Sequence, residues 1–235
     1  MLGFYNYTVI LTYLSLLSAG AGIVISLAGE GHPYIGTFFL LICGLCDAFD
    51  GKVARMKKDR SEDECKFGIQ IDSLSDLVAF GVLPACIGAA TLWRSTKLSA
   101  VPKMHTGAFF KDAFVPSILF LILILYILAA MIRLAYFNVM EEKRQKEESG
   151  VRKKYEGLPV TTASLIFPVV QFLQFLTPWD LTIVYFLVMI IVGFLFLSKI
   201  SVKKPGFKGI MLMVGLGVLE TVILILVLVF YGVSK

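Results

Sequence analysis

Charged residues are scarce in this chain. They make up 17% of its 235 residues, while 57% are hydrophobic, and the mean hydropathy is +0.82. A soluble domain of this length builds its core with far fewer apolar residues. Here the apolar residues run in long uninterrupted stretches, which points to a membrane protein. No stretch reads as a soluble domain, a low-complexity linker or an internal repeat. Basic residues do not interleave with aromatics as a single-strand nucleic-acid binder requires, so nucleic acid is not an expected partner. No basic region precedes the first apolar run, and a cleaved signal peptide is not expected. The four cysteines, Cys43, Cys46, Cys65 and Cys86, do not suggest a disulfide framework. Cys43 and Cys46 lack the context of a redox or zinc motif and read as helix-packing residues.

Seven apolar segments are present, at about 8–28, 34–56, 73–93, 114–138, 158–177, 180–199 and 208–231, each long enough to cross a bilayer as a helix. They predict an all-α, polytopic helical bundle formed by residues 1–235 as one integral membrane domain. With the N-terminus inside, most Lys and Arg fall in the loops around 55–66, 143–154 and 199–208. Only Arg94, Lys97, Lys103, Lys111 and Lys235 fall on the other side. The positive-inside rule therefore orients the chain in a cell membrane with residues 47–76 facing the cytoplasm. The small-residue run Ser18 to Gly22 is expected to let helices approach closely. Glu220 is an isolated acid suited to a helix–helix contact.

The stretch from Asp47 to Asp76 carries the chemistry. It reads D-x2-D-G-x2-A-R-x12-G-x3-D-x3-D, through Asp47, Asp50, Gly51, Ala54, Arg55, Gly68, Asp72 and Asp76. The acids come in pairs spaced i,i+3 and i,i+4, and each pair shares a helix face. Carboxylates that face one another repel unless a cation lies between them. Hard oxygen ligands select magnesium, manganese or calcium. Two such ions clamp a diphosphate and stabilise the oxygens being displaced. Gly51, Ala54 and Gly68 keep the surface shallow for a ligand, and Arg55 offers a forked cation for phosphate. A solvated set of surface acids is the plain alternative for any one of these residues. It is a poor account of all eight in order beside membrane spans.

This pattern resembles the signature of the CDP-alcohol phosphotransferase family at all eight positions. The resemblance implies a six-helix membrane core, here with one extra C-terminal helix, and a homodimer. It implies that Asp47, Asp50 and Asp72 bind metal, with two Mg2+ or Mn2+ ions. Asp76 would contact the metal site and act as general base. Gly51, Ala54, Arg55 and Gly68 would line the CDP-lipid site. Members displace CMP from a CDP-linked lipid or alcohol with an incoming hydroxyl.

A second region, 133–162, bears on the acceptor. Arg133 lies inside an apolar run, where an arginine faces either a polar cavity or, by snorkelling, the interface. R-L-A-Y-F-N, Arg133 to Asn138, is followed by a charged loop and G-L-P-V-T, Gly157 to Thr161. These two patches resemble the integral-membrane phosphatidylserine synthases of bacteria and archaea. The first helix departs from that pattern, with Ser15 where an asparagine is expected. The resemblance implies transfer from CDP-diacylglycerol, or an archaeal CDP-lipid, to the hydroxyl of L-serine. Arg133 would take the serine carboxylate, with Asn138, Thr161 and Thr162 near its ammonium and hydroxyl. Sister enzymes using inositol phosphate or glycerol phosphate are the nearest alternative. A cation transporter and a non-catalytic family member are the others. A transporter would spread its acids along a pore, whereas these cluster at one membrane side.

Overall fold

The structure, a computed structural model, describes residues 3–29, 31–95, 109–147 and 154–203, with 215, 217–219, 222, 223 and 226 near the C-terminus. Seven α-helices carry the described part: α1 (Ile10–Leu27), α2 (Pro33–Met56), α3 (Glu62–Asp76), α4 (Leu83–Arg94), α5 (Phe109–Glu147), α6 (Ala163–Leu176) and α7 (Thr182–Leu197). Two three-residue strands, β1 (Lys154–Glu156) and β2 (Ser201–Lys203), pair antiparallel, with Tyr155 opposite Val202. The all-α membrane-bundle architecture is as expected, with this small ribbon added. Most of the segment at 208–231, including Glu220, and most of the region 94–111 lie outside the described residues.

Four helical stretches are long and apolar enough to cross a membrane: Tyr7–Leu27, Pro33–Met56, Glu62–Arg94 and Ser117–Arg144. Two shorter apolar helices run Val160–Leu176 and Thr182–Leu197. Their faces are sorted as lipid and bundle require. On α7, Phe194 is 73% exposed and Phe196 is 1% exposed. The core gathers Leu40, Cys43, Phe80, Leu83, Ile87, Tyr126, Phe167, Tyr185, Met189 and Phe196. All four cysteines are free.

The third segment begins earlier than its hydropathy suggests, at Glu62 and not near 73. Ser61 caps the helix, its Oγ accepting from the Glu64 amide at 3.1 Å while Glu64 Oε2 accepts from the Ser61 amide at 3.1 Å. This reciprocal box satisfies two otherwise orphaned donors and fixes the start. Asp72 and Asp76 therefore sit near the end of a 15-residue helix, not at its beginning. The fourth segment likewise continues as helix through Glu147, so the polar stretch after Asn138 begins as helix and Arg133 is far from a helix end.

Between α3 and α4 the helix stays continuous but widens into a π turn, Leu77–Val82. The amide of Leu83 bonds to the carbonyl of Val78, five residues back. Pro84 follows and has no N–H for the carbonyl of Phe80, four residues back. Tyr126 on α5 supplies the missing donor, its hydroxyl reaching Phe80 O at 2.8 Å. The Tyr185 hydroxyl on α7 donates to Pro84 O at 2.8 Å. A proline-weakened helix is thus tied to both of its neighbours.

Small residues set the spacing of α1, α2 and α6. A Cβ on Gly22 would lie 2.8 Å from the Cβ of Phe39 on α2, and one on Gly44 would lie 2.6 Å from the Cβ of Ser164 on α6. Gly44→Val is therefore expected to push α2 off α6 at an overpacking cost of about 1–3 kcal/mol. A fall of several degrees in the thermal midpoint in detergent would register it. Gly20 has open space around its Cβ position. Gly20→Ala should leave the midpoint unchanged or raise it, and an equal loss in both variants would refute the packing argument.

Candidate functional site

The four aspartates converge between α2 and α3. Asp47 and Asp50 lie on the last turns of α2, and Asp72 and Asp76 on the last turns of α3. Only residues 57–61 separate the two helices, which approach each other at these carboxylates while both pack on α1. The carboxyl groups of Asp50 and Asp72 approach each other directly. Asp47, Asp50 and Asp72 all act electrostatically on Asp76. Asp50 and Asp76 are buried, while Asp47 and Asp72 are half-buried. From Asp76 to Arg94 the helix rises about 27 Å, close to the hydrocarbon thickness of a bilayer. The aspartates thus occupy one end of the bundle and Arg94 the other.

Four hard carboxylate oxygen donors at close quarters are chemically suited to a divalent cation. Among the described residues no three acidic, histidine or cysteine side chains are already drawn into a ligand set. Gathering the donors about an ion takes rotation of carboxylate side chains that α2 and α3 already hold face to face.

The small residues of the motif are used by arginines. A Cβ on Gly51 would lie 3.4 Å from Arg55 Nη1, so the Arg55 guanidinium rests over Gly51 although the residue as a whole is exposed. A Cβ on Gly68 would lie 2.6 Å from Arg60 Nη2. Arg60 Nη2 also donates to Glu64 O at 3.1 Å. Ala54 is half-buried. Arg60 was not singled out by the motif, which skips it. Glu64 was also missed. It accepts from Lys57 Nζ at 2.9 Å and from Asn6 Nδ2 at 2.8 Å, fastening the loop and the N-terminal residues to α3. The Ser61–Glu64 spacing is the signal that could have found it.

The acceptor-region residues contact different elements. Asn138 on α5 reaches the aspartate helix, its Nδ2 donating to Ser73 Oγ at 2.7 Å, beside Asp72. Arg133 is buried. Its Nε donates to Leu158 O at 3.2 Å, and its guanidinium lies 5.3 Å from the Phe137 ring centre. It faces protein rather than snorkelling. Gly157 makes this docking possible. It has φ +77°, and a Cβ there would lie 2.9 Å from both Phe196 O and Ser198 O. Its amide donates to Ile200 O at 2.8 Å, and that of Leu158 to Leu195 O at 3.1 Å. The Thr162 hydroxyl is committed to Pro159 O at 2.6 Å, closing a turn. The Thr161 carbonyl accepts from Ser164 Oγ at 2.7 Å. Thr162 therefore serves first as a turn residue. Ser15 on α1 is buried, and its carbonyl accepts from Cys43 Sγ at 3.3 Å.

The family model described as CDP-alcohol phosphatidyltransferase matches residues 5–233. The chain is similar to the CDP-diacylglycerol–serine O-phosphatidyltransferase of Saccharomyces cerevisiae, 34% identical over 144 residues, covering 60% of this chain and 43% of that protein. It is similar to the protein of the same name from Mycobacterium leprae, 28% identical over 204 residues, covering 85% of this chain and 59% of that protein. The archaetidylserine synthase of Methanothermobacter thermautotrophicus is 30% identical over 155 residues, covering 65% of this chain and 53% of that protein. The chain thus spans about half the length of the curated relatives it matches. No solved structure matches.

Proposed function

The chain belongs to the CDP-alcohol phosphatidyltransferase family, and from that premise we propose that it transfers the phosphatidyl group of a CDP-lipid to the hydroxyl of L-serine, releasing CMP. The convergence of Asp47, Asp50, Asp72 and Asp76 from α2 and α3 at one end of the bundle carries this reading. Relatives named as serine phosphatidyltransferases and archaetidylserine synthase support serine as acceptor and a diacyl or archaeal CDP-lipid as donor.

In this reading Asp47, Asp50, Asp72 and Asp76 hold two Mg2+ or Mn2+ ions, which when bound neutralise the pyrophosphate and the departing phosphate. Arg55 lies over Gly51 and is placed to meet the CDP phosphates. The serine hydroxyl attacks the lipid-side phosphorus. Asp76 takes its proton, the bond to the CMP oxygen breaks, and CMP leaves. Arg133 and Asn138 orient serine, the first toward its carboxylate and the second from beside Asp72. Positioning and electrostatics do the work. The charge asymmetry of the loops supports an active site at the cytoplasmic face of a cell membrane. Residues 1–235 act as one membrane domain, and the protein is a homodimer.

The test is CMP release by purified protein given CDP-diacylglycerol and Mg2+ or Mn2+, with and without L-serine. Serine-dependent CMP with a new aminophospholipid supports the proposal. Release only with inositol phosphate or glycerol phosphate moves the acceptor, and no release from folded protein sinks the reaction. Arg133→Lys gives a finer check, because a lysine cannot hold Leu158 O and a carboxylate as a fork does. The KM for serine should rise about tenfold or more, the worth of a charge-assisted hydrogen bond, with the KM for CDP-lipid unchanged. An unchanged serine KM would remove Arg133 from the acceptor site.

A further inference from the structure

A second arginine stands near the aspartates. Arg60 lies at the end of the loop between α2 and α3. Its Nη2 donates to Glu64 O at 3.1 Å and would lie 2.6 Å from a Cβ on Gly68. The guanidinium therefore fills the space that the glycine leaves. Gly68 precedes Asp72 by four residues, so the two share one face of α3, about 6 Å apart along its axis. Asp72 is the acid of α3 that meets Asp50 of α2. Arg60 is thus held one helical turn from the place where the two acidic helices approach.

The charge of Arg60 is not spent within the protein. The acid best spaced to pair with it is Glu64, four residues on. That carboxylate is already filled. Its Oε1 accepts from Lys57 Nζ at 2.9 Å and from Asn6 Nδ2 at 2.8 Å, and its Oε2 accepts from the Ser61 amide at 3.1 Å. Arg60 takes the Glu64 carbonyl instead, and among the described residues no carboxylate pairs with it. The residue is half-buried. Its Nε is enclosed, whereas Nη1 is neither enclosed nor bonded to any described residue. A seated guanidinium with an open donor and an unmatched charge suits an oxyanion.

The direction of α3 says which oxyanion. Beyond Asp76 the helix continues through apolar residues to Arg94. From Asp72 back to Gly68 and Arg60 it leads out to the charged loop 57–61. In the reaction proposed above, on which this inference rests, the acyl chains of the donor stay with the apolar end. Its nucleoside then extends past Gly68. We propose that Arg60 binds the phosphate on the cytidine side of the CDP-lipid, Nη1 donating to a phosphate oxygen. Arg60 holds the CMP half from the α3 side, while Arg55 meets the phosphates from α2. That phosphate departs with CMP, so one contact recognises both substrate and product. Serine does not share it.

The experiment is an equilibrium titration of the full chain in detergent with CMP and Mg2+, followed by initial rates against CDP-diacylglycerol and L-serine. Arg60→Ala should raise the Kd for CMP about tenfold or more, the worth of a charge-assisted hydrogen bond. The KM for CDP-diacylglycerol should rise with it. The KM for serine and the thermal midpoint without CMP should stay near those of the unaltered chain. Arg60→Lys keeps the charge but loses the fork. It should weaken CMP by less than the alanine does, and it carries the test if the alanine variant does not fold. Unchanged CMP affinity in the folded variants would overturn the proposal and leave the reaction standing. So would an equal loss of serine affinity, or a midpoint that falls together with CMP affinity and marks Arg60 as structural. Failure of the folded, unaltered chain to bind CMP would sink the reaction and this inference together.

Discussion

Asp76→Asn should lower CMP release at least about a hundredfold, the usual loss when a positioned general base is removed. Asparagine keeps the size of the side chain and one acceptor oxygen but cannot take the serine proton. Asp76 is buried at the junction of α3 and the π turn, where a residue of the same shape should leave the packing undisturbed. CDP-lipid binding, measured by equilibrium titration with the metal present, should persist. Loss of turnover with binding retained fits the base assignment. Loss of both would make Asp76 chiefly a metal or structural residue, and activity near that of the unaltered protein would end its catalytic role.

Asp50→Asn should act in opposite directions on activity and on stability. Asp50 touches Asp72 across the α2–α3 interface and is within electrostatic reach of Asp47. Crowding ionised carboxylates in a buried place is unfavourable unless a cation offsets it. With metal removed by a chelator, the variant should therefore unfold at a higher temperature than the unaltered chain. Adding Mg2+ or Mn2+ should stabilise the unaltered chain and have little effect on the variant. Turnover should fall by more than the about 10–100-fold that loss of an outer-shell partner costs a metal site. A variant less stable than the parent in chelator would mean that Asp50 is held by attractive contacts instead of opposing its neighbours.

Much of this was legible in the sequence because it depends on local spacing. The paired acids had to share helix faces, and a loop as short as 57–61 had to keep the acidic ends of α2 and α3 near each other. Hydropathy alone misplaced the start of α3, since residues 62–71 are a polar helix whose signal is the Ser61–Glu64 box. The docking of Arg133 on the Leu158 carbonyl was not legible. It depends on Gly157 entering the end of α7, and on β1 pairing with β2, two long-range backbone contacts with little side-chain trace. Arg60 escaped notice for a related reason. Its role comes from the space left by Gly68, which sequence shows only as a missing side chain.

The π turn has a consequence for how the two halves of this long helix can change. A residue added to a regular helix turns everything beyond it by about 100°. The widened turn at Leu77–Val82 works as a phase adjuster. Below it, Asp72 and Asp76 keep one angular setting toward α2. Above it, Leu83, Ile87 and Thr91 keep another toward the bundle core. The widening lets both settings coexist on one rod, and the Tyr126 hydroxyl holds the adjustment in place. Substitutions that retune the packing of α4 can accumulate without rotating the carboxylates. Loss of a single residue within the turn would swing one face away from its partner while leaving every helix intact.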